Sequence, residues 1–124
     1  MKGAVSDLLQ MRPGAASERW PAGAPFVRAL AHGSMSVELY APVGSDLQSP
    51  HEQDELYFIQ HGSGTIAIGD MQYQFAAGDC FFVAAGVEHR FTTFTPGFST
   101  WVVFWGPKGG EAAQPGPGNA IQGA

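Results

Sequence analysis

A cluster of side chains able to bind a metal lies within residues 49–57, where the chain turns from polar to apolar. Alternate residues of an extended chain lie on one face, so His51, Gln53 and Glu55 would point the same way. A straight strand would separate the Cα atoms of residues 51 and 55 by about 13 Å. That is near the limit for both side chains to reach one ion, and Pro50 indicates a bend.

A second histidine, His89, lies in a later apolar segment, on the face that also carries Val87, Phe91 and Thr93. A buried imidazole needs a partner, because an unpaired buried polar group costs about 1–3 kcal/mol. Two histidines and one carboxylate form a facial triad that leaves open positions on a divalent metal. The spacing alone also allows a structural histidine that is hydrogen-bonded to Glu55 or to a backbone carbonyl.

Eight short segments that alternate with period two must position these residues. The predicted strands cover residues 26–30, 35–40, 55–60, 65–68, 72–75, 80–84, 87–94 and 98–105. The connections are rich in glycine and proline and too short for crossover helices, so the strands must pair antiparallel in a sandwich or barrel. The predicted fold class is therefore all-β.

The pattern changes on both sides of these strands. Residues 1–25 are predicted to form an N-terminal arm, with a short apolar cluster, Ser6 as a possible helix N-cap, and several prolines. Residues 26–106 form the β-barrel domain. Residues 107–124 are rich in glycine and proline and have almost no large apolar side chains, so we expect a flexible tail.

Composition excludes several classes of protein. A length of 124 residues allows one compact domain. Six Lys plus Arg against eleven Asp plus Glu leave no basic surface for phosphates, so we expect neither nucleic acid nor a membrane as partner. No apolar run approaches the roughly 18 residues of a membrane span. The single cysteine, Cys80, excludes an intrachain disulfide and agrees with a cytoplasmic location; we expect it to be an inert core thiol.

Two stretches resemble the paired motifs of the cupin family. Residues 50–62 resemble the first motif, in which histidines precede a glutamate that lies seven residues before a glycine; Glu55 and Gly62 keep that separation. Residues 78–93 resemble the second motif, in which His89 occupies the histidine position. The Gln-Asp-Glu form of the first motif is typical of small single-domain cupins.

This resemblance covers about residues 30–106 and implies a cupin-type double-stranded β-helix, or jelly-roll barrel. It implies His51, Glu55 and His89 as metal ligands, with Gln53 as a weak fourth ligand or as a hydrogen-bonding group beside the metal. The usual set of three histidines and one glutamate is incomplete. Departures from the family's pattern occur at Gln53, Ala84 and Thr93.

The resemblance further implies one divalent metal ion, Zn, Fe, Ni or Mn, and a small-molecule ligand or substrate. One hypothesis is a metal-dependent dioxygenase or isomerase that acts on a small oxygenated molecule. The alternative is a non-catalytic cupin that binds a small ligand, as a sensor or store, with a structural metal. Tyr57 shares the face of Glu55, so its phenol is a candidate group of the substrate pocket. No acid or base beyond the metal ligands stands out.

The last predicted strand is apolar on both faces, with Trp101, Val103 and Trp105 on one and Val102 and Phe104 on the other. Such a strand is buried on both sides, within a sandwich or at a subunit contact. Together with the cupin resemblance, this pattern predicts a homodimer.

Overall fold

The computed structural model describes residues 1–112 as one short helix followed by eight strands. The elements are α1 Val5–Gln10, β1 Phe26–His32, β2 Met35–Tyr40, β3 Asp54–His61, β4 Ser63–Ile68, β5 Met71–Ala76, β6 Cys80–Val83, β7 His89–Phe94 and β8 Ser99–Trp105. Each of the eight predicted strands is present, because the period-two pattern and its glycine turns mark both ends of a short strand.

The strands form two antiparallel sheets with the hydrophobic core between them. The larger sheet has the order β1-β2-β8-β3-β6, and the smaller has the order β5-β4-β7. Both sheets contribute to one buried cluster, which consists of Tyr40, Tyr57, Ile59, Ile66, Phe75, Val83, Phe91, Phe98, Val102 and Phe104. This arrangement confirms the predicted all-β barrel.

The register of β3 places a carboxylate inside the barrel. Its buried residues include Glu55, Tyr57 and Ile59, at alternate positions. On the neighbouring strand β8, the residue paired with Glu55 is Phe104. From the other sheet, β7 contributes the buried residue His89 at its first position. The alternation that buries apolar side chains therefore also carries two ionisable groups into the core.

The far end of the barrel, next to the last residues of β3, is filled by aromatic rings. Phe98 lies 5.2 Å from Phe75, 4.8 Å from Phe91 and 5.2 Å from Phe94 between ring centroids. We call Phe75, Phe91, Phe94 and Phe98 the phenylalanine cluster. Gly62 borders it at φ 94°, and a Cβ there would lie 3.0 Å from the Phe98 Cα. This close approach requires the glycine that ends the first motif.

The N-terminal arm packs against the barrel. Leu8 of α1 is buried, and the Arg12 guanidinium donates a 2.7 Å hydrogen bond to the Ala41 carbonyl. The N-cap of α1 is Ala4, which makes no side-chain capping bond. The expectation of Ser6 as N-cap is therefore wrong, because the helix begins one residue before Ser6.

The segment after β8 contacts the start of β3. The backbone N–H of Glu111 donates a 2.9 Å hydrogen bond to the Asp54 carboxylate. The described part of the predicted tail, residues 107–112, is thus held at this point, and residues 113–124 lie outside the described residues.

The short strand β6 points Phe81 and Val83 inward and Cys80 outward. Cys80 is exposed. The expectation of a core thiol is wrong, because the strand's alternation gives Cys80 the outer face. Across residues 1–112, the structure has no helix long and apolar enough to span a membrane.

Candidate metal centre

Three of the predicted ligands come together inside the barrel. One ligand atom each from His51, Glu55 and His89 lies within 4.8 Å of the others. Glu55 belongs to β3, His89 begins β7 in the opposite sheet, and His51 lies in the bend before β3. The rings of the two histidines are 5.6 Å apart between centroids. Two imidazoles and a carboxylate that are distant in the chain therefore surround one point.

Glu55 and His89 form the most buried part of this group. The Glu55 Oε1 and His89 Nε2 atoms are 2.9 Å apart, and the two side chains are at most 1% exposed. When the His89 Nε2 carries no proton, both atoms are acceptors and form no hydrogen bond with each other. Among the described residues, both Glu55 oxygens and the His89 Nε2 have no hydrogen-bond partner. Buried acceptors without partners are costly, and a cation between them would remove that cost.

A backbone carbonyl orients the His89 ring. Its Nδ1 lies 2.9 Å from the Val87 carbonyl oxygen, which can only accept, so Nδ1 carries a proton. In the neutral ring, Nε2 then has the free lone pair and faces Glu55, as a metal-binding histidine requires. Burial lowers the pKa of His89, but the adjacent Glu55 carboxylate and the Val87 carbonyl raise it by more. The net pKa lies above the ordinary value, so a proton competes with any metal ion.

His51 is the half-buried member of the group. Its ring packs edge-on against Phe104, with centroids 4.7 Å apart. Burial lowers the pKa of His51, and the Glu55 carboxylate opposes that shift only in part. The ring is therefore neutral at neutral pH, which is the state that binds a metal.

Gln53 makes contacts of a different kind. Its amide nitrogen donates to the carbonyls of Ser34 and Gly106, at 3.0 and 2.9 Å. The strand β3 begins only at Asp54, and the chain bends at residues 52 and 53. The alternation that grouped Gln53 with His51 therefore does not extend to these residues. The metal role of Gln53 stays a prediction.

Gln48 is a polar residue of the site that the sequence patterns did not reveal. Its Oε1 lies 3.2 Å from the His51 Nε2 and accepts a 3.1 Å hydrogen bond from the Tyr57 hydroxyl. Tyr57 is fully buried, and burial, followed by the Glu55 charge, raises its pKa well above the ordinary value. Tyr57 is thus bonded to Gln48, and its ring also lies 5.9 Å from the His89 ring between centroids. Its predicted role in a substrate pocket stays a prediction.

A buried carboxylate, Asp46, holds Gln48 in place. It accepts hydrogen bonds from the Tyr40 hydroxyl at 2.5 Å and from the Phe91 backbone N–H at 2.9 Å. It also accepts from the backbone N–H and the side-chain Nε2 of Gln48, at 3.1 and 2.9 Å. Burial and the Asp46 charge raise the pKa of Tyr40. Sequence patterns gave no sign of this role, because the Phe91 backbone that Asp46 binds lies 45 residues away in the chain.

Two cavities beside the metal centre share Glu38 and His51 in their walls. One, of about 300 Å³, is lined by aromatic residues of the arm and the barrel, among them Trp20 and Phe26, and by polar and charged side chains. The other, of about 510 Å³, also reaches Arg28. Burial raises the pKa of Glu38, and the Arg28 charge opposes this shift. Glu38 is thus an ionisable group beyond the predicted ligands, found only because β2 turns this face inward.

Comparison with known proteins agrees with this architecture. The family model of the cupin domain matches residues 36–103 of the chain. The chain belongs to the cupin family. An uncharacterized protein of Streptomyces coelicolor is 37% identical to this cupin over 94 residues, which are 74% of this chain and 90% of that protein.

Solved structures agree on the fold. A cupin-2 domain protein of Shewanella frigidimarina has a TM-score of 0.52 and 18% identity, covering 64% of this chain and 78% of that chain. KdgF of Halomonas sp. has a TM-score of 0.58 and 12% identity, covering 64% of this chain and 76% of that chain. At these identities the likeness shows the fold alone, so function must be argued from the site.

Proposed function

We propose that this cupin binds one divalent metal ion through His51, Glu55 and His89, and with it a small oxygenated molecule. The observation that carries the proposal is the set of three buried acceptor atoms without hydrogen-bond partners among the described residues. Two nitrogen donors and a carboxylate suit Zn, Fe, Ni or Mn, and leave open positions on the ion. A bound ion would supply Lewis-acid polarisation of an oxygen of the molecule.

The cavities support a molecule that reaches the centre beside His51. The cavity of about 300 Å³ is of the size that holds a small ligand, and its walls combine aromatic with polar and charged side chains. Glu38, in the same wall, has a pKa raised by burial. It can therefore exchange protons closer to neutral pH than an ordinary glutamate. Of the two predicted chemistries, this group favours an isomerase, which must move a proton, over a dioxygenase.

The ligand assignment is tested by metal content. The full chain, purified without chelators, is compared with Glu55→Gln and with the matched control Glu52→Gln. Glu52 is an exposed residue, with its carboxylate 3.6 Å from the Lys108 ammonium. We expect metal by elemental analysis in the wild type and in Glu52→Gln, and at least a tenfold loss in Glu55→Gln. A folded Glu55→Gln protein with full metal content would contradict the assignment.

Activity measurements on the same purified proteins distinguish the non-catalytic alternative from the enzyme hypotheses. Iron together with oxygen consumption would favour the dioxygenase. Turnover that disappears in Glu38→Gln while metal content stays full would favour the isomerase. Metal-loaded protein that binds a small polar molecule but converts none would identify a sensor or store.

We further propose that two copies associate through the outer face of β8, β3 and β6. Phe58 and Phe82 are 43% and 53% exposed there, and the Phe82 ring lies 6.2 Å from Trp105. Large exposed apolar side chains on one face of a sheet are typical of an interface. Light scattering should give a dimer mass for the wild type and a monomer mass for Phe82→Glu. The control Tyr73→Glu, on the other sheet, should stay dimeric, and a monomeric wild type would refute the proposal.

A cytoplasmic location is also proposed. It is supported by Cys80, an exposed thiol and the only cysteine of the chain, since exposed free thiols persist best in a reducing compartment. Cell fractionation with an antibody against the full chain would test it.

A further inference from the structure

We propose that the amide oxygen of Gln48 is a fourth protein donor to the same metal ion. This inference rests on the proposed function, because it extends the ligand set of that site. The cupin resemblance implied only three clear ligands, with one family position lacking its histidine. Gln48 is a second glutamine near the motif, and its contacts differ from those of Gln53.

The spacing of the donor atoms supports this assignment. Two donors that share an ion with bonds of about 2.1 Å at a right angle lie about 3 Å apart. The Glu55 Oε1 and His89 Nε2 atoms are 2.9 Å apart. The Gln48 Oε1 and His51 Nε2 atoms are 3.2 Å apart. The group therefore contains two pairs of donors, each at the spacing of neighbouring ligands.

The orientation of the amide is determined by Asp46. An amide can present either its oxygen or its nitrogen, but the Gln48 Nε2 donates a 2.9 Å hydrogen bond to the Asp46 carboxylate. The oxygen must therefore face the opposite way, toward His51 and Tyr57. Since Asp46 is 1% exposed and also accepts from the Phe91 backbone, it holds the amide rigidly. An amide oxygen has two lone pairs, of which the Tyr57 hydroxyl uses one.

Gln48 also borders the surroundings of both imidazoles. It lines the cavity that His51 lines and a further cavity, of about 350 Å³, that His89 lines. With Gln48 included, the site has two oxygen and two nitrogen donors. Oxygen donors favour harder ions, so the fourth ligand would shift the preference toward manganese or ferrous iron relative to zinc.

The competing explanation is a hydrogen bond only. If the His51 Nε2 carried a proton, it would donate to the Gln48 oxygen, and Gln48 would orient His51 without touching the ion. Gln48→Met removes the oxygen and preserves the side-chain length. Gln60→Met is the matched control, because it makes the same chemical change at a glutamine near the other end of β3, whose Oε1 accepts a 2.6 Å hydrogen bond from the Ser99 hydroxyl.

Zn²⁺ affinity is measured on the full chain by competition with a chelator, and the visible spectrum is recorded with Co²⁺. We expect Gln48→Met to weaken Zn²⁺ binding about 10–100-fold, a typical loss for a group that supports a metal site. Its Co²⁺ absorption band should shift, because the donor set changes. Gln60→Met should leave both quantities unchanged. Wild-type affinity and spectrum in a folded Gln48→Met protein would overturn the inference.

A crystal structure of the wild type with Zn²⁺ decides between the two explanations without any variant. The inference expects the Gln48 Oε1 within about 2.0–2.2 Å of the ion. A bound ion with Oε1 more than about 3 Å away would overturn the inference and leave the three-ligand proposal standing. A wild type that binds no metal under these conditions would overturn both.

Discussion

The two ends of the barrel interior are equally buried but differently filled. At the end of β3, Phe98 and its neighbours pack ring against ring, with centroids about 5 Å apart. At the start of β3, Glu55 and His89 lie just as deep, yet their facing atoms have no hydrogen-bond partner among the described residues. The phenylalanine cluster is complete without any ligand, whereas Glu55 and His89 need a cation or a proton between their facing atoms.

This difference separates stability from function. Close-packed rings contribute to the free energy of folding through buried area and dispersion. Buried acceptors without hydrogen-bond partners make folding less favourable. Such a loss of stability is typical of sites that bind a ligand. Substitutions at the phenylalanine cluster should therefore change stability and leave metal binding intact, whereas substitutions at the metal centre should do the reverse.

The largest expected effect is at the phenylalanine cluster. Phe98→Ala removes a ring that contacts three others, so we expect the free energy of unfolding to fall by about 3–5 kcal/mol. Metal stoichiometry of the folded fraction should stay that of the wild type. Urea unfolding and elemental analysis measure the two quantities, with a change at the exposed residue Val43, Val43→Ala, as control. Loss of metal in folded Phe98→Ala protein would show that the phenylalanine cluster also supports metal binding, contrary to the assigned roles of the two ends.

An intermediate effect is expected from pH at the metal centre. The pKa of His89 is raised in the folded chain, so protonated His89 stabilises the metal-free protein fully below the ordinary histidine pKa of about 6.5. That stabilisation is lost as the pH rises through the higher folded pKa. A metal ion requires the unprotonated ring, so its affinity should rise over the same range.

Thermal unfolding with and without Zn²⁺ tests whether the proton and the metal ion compete for His89. The increase in Tm caused by the metal should be larger at pH 8 than at pH 6. In His89→Gln this pH dependence should disappear, together with most of the Zn²⁺ effect. An equal increase at both pH values in the wild type would show that no proton competes with the ion.

The smallest effect is expected where the two ends meet. Tyr57 contacts Phe91, with ring centroids 4.9 Å apart, and donates its hydroxyl to Gln48. Tyr57→Phe keeps the ring and removes the hydrogen bond, which should cost about 1 kcal/mol of unfolding free energy. Zn²⁺ affinity should fall only a fewfold, because Asp46 still orients Gln48. If Tyr57→Phe lost as much Zn²⁺ affinity as Gln48→Met, Tyr57 rather than Asp46 would be the residue that orients the Gln48 amide.

Local patterns were sufficient for the strands and for the inward faces of Glu55 and His89. Alternation placed Glu55 and His89 on inward faces, and the structure has both there. The same rule included Gln53 with His51, and it stopped applying where the chain bends before β3. Asp46 and Gln48 have no such periodicity, since they lie in the irregular segment between β2 and β3.

The sequence by itself determined the all-β class, the cupin motifs and the residues that face inward, because strand alternation and glycine turns are local properties of the chain. Only the tertiary structure decided which of those residues meet, which amide atom of Gln48 faces His51, and that Glu38 borders a cavity. These facts depend on contacts between segments far apart in the chain. Such contacts are set by how the two sheets pack and by the hydrogen bonds of one buried carboxylate, Asp46.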